Sequence, residues 1–123
     1  MLAAGEVDVA LDELRWLLDD CRDFIEAHKL LGELAASEND VKLARAHFGY
    51  AYDLGLGAIP AKGLDAPLSY EVAANQPFLE AAKGLAWSLI ELDQPNQARE
   101  VLHQLLICDP TDPLGAREML GSL

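Results

Sequence analysis

A chain of 123 residues, 51% hydrophobic and 24% charged, is long enough to bury one core, so a single domain over residues 1–123 is expected. The balance of 21 Asp and Glu against 9 Lys and Arg gives a formal net charge of −12. That field repels nucleic-acid phosphates and anionic lipid, which excludes both as partners and favours a basic protein or peptide. No apolar run approaches the roughly 20 residues that span a bilayer, and Met1 to Ala10 has neither the basic start nor the apolar stretch of a secretion signal. A cytoplasmic protein is expected.

The first element in chain order is a helix over residues 1–22, where Ala10 is followed by Leu14, Leu17 and Leu18 on one helical stripe. A helix pair follows over 24–56. Its first helix sets Gly32 beside Leu31, Asn39-Asp40-Val41 supplies a turn and a cap, and Ala44, Phe48, Ala51 and Tyr52 repeat the stripe. Gly55-Leu56-Gly57 reads as a helix stop, lacking the Lys-Ser/Thr ending of a phosphate loop. A second pair over 77–110 has Ala86 beside Leu85, a turn at Asp93-Gln94-Pro95, and Ala98, Leu102, Leu105 and Leu106 on the stripe. Residues 113–123 read as the first helix of a further pair.

From Ala10 to Ala44 is 34 residues, and from Ala44 to Ala98 is 54, the same interval with 20 residues inserted. The insertion occupies residues 55–76. Pro60, Pro67 and Pro77 with Gly55, Gly57 and Gly63 argue against a continuous helix there, while Ile59, Leu64, Leu68, Tyr70 and Val72 give it anchors to fold back onto the helices. It is either a packed surface loop or a lid contributing to a binding site.

These stripes, with a period of 34 and small residues at Gly32 and Ala86, resemble the tetratricopeptide repeat family. The resemblance covers roughly residues 1–54 and 77–120, with Pro110 where the family often ends its second helix; His28 and Ala82 replace the usual early aromatic. It implies an all-α fold of antiparallel helix-turn-helix repeats stacked as a short right-handed superhelix. It also implies a concave groove lined by the first helices, which by register carry Glu26, Lys29, Glu33 and Ser37, then Glu80, Lys83, Trp87, Ile90 and Glu91. The candidate partner-binding residues are Lys29, Glu33, Lys83, Trp87, Ile90 and Glu91, with Tyr70 from the insertion. Lys29 and Lys83 stand where some family members hold a peptide's terminal carboxylate, but Glu33 and Trp87 replace the asparagines that complete such a clamp. Trp87 is either an aromatic anchor for a ligand or a side chain covered by the insertion.

Chemistry beyond binding has no basis in the sequence. His28, His47 and His103 are dispersed and form no metal motif, so no metal and no cofactor is expected. His103 and Cys108, five apart on one helix, diverge by about 140° and cannot act as a base and nucleophile. Cys21 and Cys108, at apolar helical positions, are expected as buried thiols with no disulfide between them. Asp19, Asp20, Asp23 and Glu26 lack the glycine turn of a calcium loop and read as a solvated acidic face. With no clustered titratable groups, no enzyme and no catalytic residue are expected. Two roles remain open: a protein-interaction module using the groove, or a structural module. Because stacked repeats bury their faces only against neighbours, the structural module would self-associate as a homodimer or form part of a longer array.

Overall fold

The computed structural model describes residues 17–59 and 67–123, and side chains of the first stretch from Asp23 onward. The expected stripe from Ala10 to Leu18 and the centre of the insertion, with Pro60, Gly63 and Leu64, lie outside what is described. In chain order the elements are α1 (Leu17–Ser37), α2 (Val41–Ala58), a 3-10 turn (Ala73–Asn75), α3 (Gln76–Glu91), α4 (Pro95–Cys108) and α5 (Ala116–Gly121). The described residues are helical with no strand, and neighbouring helices pack together. α1 packs on α2 and on α3, α3 also packs on α2 and α4, and α5 rests on α4.

Two helix pairs are closed by the same turn. Asn39 and Asp93 adopt the left-handed conformation, with φ of 62° and 60°, which Asn and Asp tolerate better than most residues. The amide of Asp40 donates to the Ala35 carbonyl at 2.9 Å and that of Gln94 to the Leu89 carbonyl at 2.8 Å, so orphan carbonyls at each helix end are satisfied alike. Asp40 then caps α2, its carboxylate accepting from the Leu43 amide at 3.2 Å. Pro95 starts α4, where its missing N–H costs nothing.

The core follows the stripes. Ala44, Phe48, Ala51 and Tyr52 of α2 and Ala98, Leu102 and Leu105 of α4 are all buried, joined by Leu79, Leu85 and Leu89 from α3. Phe48 locks three helices together: a Cβ added at Gly32 on α1 or at Gly84 on α3 would come within 2.7 Å of its ring. The two glycines let both backbones close on the aromatic face. Phe78 sits against Gly55 in the same manner and stacks on Tyr52 with ring centroids 5.7 Å apart.

Two boundaries differ from the sequence reading. α1 is continuous across Arg22 and Asp23, where a break between two helices was expected; neither residue is a helix breaker, and no Gly or Pro interrupts 17–31. α2 runs to Ala58 through Gly55-Leu56-Gly57. Gly55 is there a seat for Phe78 and not a stop, so the insertion begins later than residue 55. Pro77 lies in the first turn of α3, compatible with the helix.

Candidate interaction groove

A groove of ≈ 480 Å³ runs along the first helices of the two pairs and α5, lined by Glu33, Ala36, Phe48, Glu80, Lys83, Gly84, Trp87, Leu114 and Met119. Its position follows from helical spacing. Glu80, Lys83, Gly84 and Trp87 recur at three and four residues and so share one face of α3, and Glu33 and Ala36 share one face of α1. The floor is apolar, formed by Phe48, Trp87, Leu114 and Met119. The rim is charged.

The structure brings Glu33, Lys83 and Trp87 together in this groove. Lys29 stands at its edge with its ammonium occupied, 3.2 Å from a Glu80 oxygen and 3.5 Å from a Glu33 oxygen. Burial disfavours that ammonium, yet the hydrogen bond to Glu80 and the nearby carboxylates outweigh it and hold the Lys29 pKa above its ordinary value. Tyr70 donates to the other Glu80 oxygen at 2.5 Å. That hydrogen bond, ahead of burial and the Glu80 charge, raises the Tyr70 phenol. Glu80 is thus fixed between two donors. Glu33, also in reach of Lys29, and Lys83 are the further rim charges of the groove, and no ion pair to Lys83 occurs among the described residues.

Ile90 and Glu91 do not line the groove. Ile90 is half-buried against the core and Glu91 is exposed at the last residue of α3. Trp87 packs against the core and flanks Leu114 and Met119, and the described part of the insertion, from Pro67 onward, does not line the groove. That part is anchored instead across the end of α4. The Leu68 amide donates to the Cys108 carbonyl at 2.7 Å, and the Tyr70 amide donates to Asp109 at 2.9 Å. Asp109 also accepts from the Thr111 hydroxyl at 2.6 Å and the Thr111 amide at 3.1 Å. The hydroxyl bond, then the Tyr70 amide, holds the Asp109 carboxyl below its ordinary value.

Sequence reasoning missed Leu114 and Met119 as groove walls, since α5 is a short helix whose seat depends on α4. It also missed His28 and His47, 19 residues apart on different helices, whose Nδ1 atoms lie 3.1 Å apart. A helical hairpin folded at Asn39 brings residues 28 and 47 to nearly the same height, which is the signal that pairs them. Cys108 is a free, buried thiol whose pKa burial pushes up. Burial likewise raises the Tyr52 phenol to about 12. The described residues contain no group of three or more His, Cys, Asp or Glu placed to hold a metal ion, and no helix long and apolar enough to cross a membrane.

A second cleft, ≈ 490 Å³, opens between α2 and α4 and is lined by Arg45, Asp53, Gln97 and Glu100 among others. It contains none of the expected partner-binding residues. Fold and groove together define a class, an all-helical protein of hairpin-linked helices with an apolar-floored open groove. No protein-family model, curated protein or solved structure matches the chain.

Proposed function

We propose that the chain is a non-catalytic protein-interaction module of tetratricopeptide type, a short right-handed superhelix that receives a peptide segment of a basic cytoplasmic partner. The observation carrying this reading is the groove, where Trp87, Phe48, Leu114 and Met119 form an apolar floor beneath Glu33 and Lys83. Large aromatic side chains in such a position supply most of an interface's energy, and the rim charges set register. The matching turns at Asn39 and Asp93 and the packing of α1 on α3 support the repeat architecture.

The test is selection from a random peptide display library, followed by titration of a selected peptide. Glu33→Lys with Trp87→Ala should weaken binding by roughly 30-fold or more, the equivalent of one hot spot of about 2 kcal/mol. Unchanged affinity in a folded double variant would remove the groove from the account.

A second reading, self-association or continuation of a longer array, rests on α1. Leu31 and Leu34 are 37% and 55% exposed. Residues 54 positions later, Leu85 and Ser88, are 7% and 0% exposed within the packing of α3 on α2. The equivalent face of α1 is open. Light scattering across a range of concentrations checks this, with Leu30→Glu and Leu34→Glu expected to hold the protein at the 13.4 kDa chain mass.

A further inference from the structure

We propose that His28 and His47 form an acid-sensitive clasp between α1 and α2, closed at neutral pH and opened when both rings become cationic. Their Nδ1 atoms lie 3.1 Å apart, a hydrogen-bond distance that has room for one proton. With one ring protonated at Nδ1 and the other presenting a lone pair, the bond forms. One further proton, taken by the far nitrogen of the donor ring, leaves the bond intact. The second brings two N–H groups and two positive charges face to face, so the bond becomes a repulsion.

The surroundings make this pair sensitive. Both rings are half-buried, with centroids 5.3 Å apart, and the ring of Tyr50 stands edge-on to His28 at 4.4 Å. Burial first, then the neighbouring His47, lowers the pKa of His28. Among the described residues neither imidazole is paired with a carboxylate. Of the charged groups on the packed elements, Glu33 on α1 and Glu80 on α3 pair with Lys29, Asp40 caps α2, Arg45 and Asp53 line the cleft toward α4, Lys83 lines the groove, and among the described residues Asp23, Glu26 and Lys42 form no ion pair with either ring. Among the described residues no carboxylate pairs with either ring to compensate a doubly charged pair. A group whose folded pKa is depressed binds more protons unfolded, so its stabilisation is present above the ordinary imidazole value of 6.5 and is lost as pH falls through the folded value.

The clasp acts on the α1–α2 hairpin and does not depend on the groove reading; its experiment uses no peptide. Histidine NMR titration of the full chain should show His28 titrating below its ordinary value of 6.5, and His47→Gln should move it back toward that value. Backbone hydrogen exchange, corrected for the intrinsic rate, should show α1 amides between Ile25 and Ala35 losing protection between pH 7.5 and 5, about tenfold per unit of pKa depression. Amides of α4 should keep theirs. Carboxylates ordinarily titrate near pH 4, which keeps this window to imidazoles. His28→Phe removes the repulsion and should abolish the acid effect on α1. A His28 titration that His47→Gln leaves unchanged, or equal acid loss in α1 for wild type and His28→Phe, would overturn the clasp.

Discussion

At the scale of single residues, glycine has two opposite meanings in this chain, decided by what a methyl group would meet. Gly32 and Gly84 face the Phe48 ring from α1 and α3, and an added Cβ at either would lie 2.7 Å from it. The ring is held from both sides and cannot retreat, so overpacking of about 1–3 kcal/mol outweighs the roughly 1 kcal/mol that alanine adds in helix propensity. Gly32→Ala should therefore lower stability by about 1 kcal/mol. Gly57, inside α2, has nothing within 4 Å of its Cβ position. Gly57→Ala should raise stability by about 0.5–1 kcal/mol, through propensity and a less flexible unfolded chain. Urea denaturation of the two variants measures both signs, and a stabilising Gly32→Ala would mean that the Phe48 wedge is loose.

At the scale of elements, the two helix pairs are alike in their turns but not in their caps. Asp40 caps α2 through the Leu43 amide, whereas Gln94, at the equivalent position before α4, makes no side-chain cap bond. The backbone at the two positions is similar, with φ and ψ of −91° and 78° at Asp40 and −122° and 64° at Gln94. Asp40→Ala should cost about 1 kcal/mol, and Gln94→Asp should add about 0.5–1 kcal/mol by accepting from the Gln97 amide. Thermal unfolding of each variant reads the change, and a destabilising Gln94→Asp would show that the second turn is not equivalent to the first. The same elements show what the sequence makes legible. Stripes such as Ala44, Phe48 and Tyr52 are local in sequence, recur with the helical period and mark the core directly. The groove's Glu33, Lys83 and Trp87 followed from that register. Features set by contacts between distant segments left no such mark: Tyr70 on Glu80, His28 on His47, and Leu114 and Met119 closing the groove. Gly55 misled because a helix-stopping residue and a seat for an aromatic ring are the same residue type, distinguished only by Phe78 more than 20 positions later.

At the scale of the whole molecule, charge sets a term that no single contact contains. A net charge of −12 on 123 residues repels itself in the compact state. Against it the described residues set three ion pairs, Lys29 with Glu33, Lys29 with Glu80, and Arg117 with Asp112. The last is 3.7 Å long with an exposed arginine, and pairs of this kind contribute about 0–1 kcal/mol each. Added salt weakens both terms, but repulsion among 21 acids is distributed over the surface and acts at separations near the Debye length, about 10 Å at 0.1 M. Screening should therefore stabilise the fold. If it removes about 1 kcal/mol of repulsion, the melting temperature should rise by about 4 °C between low salt and 0.5 M sodium chloride. Sodium chloride at constant pH is the test, since sulfate would add a hydrophobic contribution of its own. A melting temperature that falls with salt would mean that specific pairs such as Lys29 with Glu80 dominate the electrostatics, and would make Lys29→Met the more damaging change.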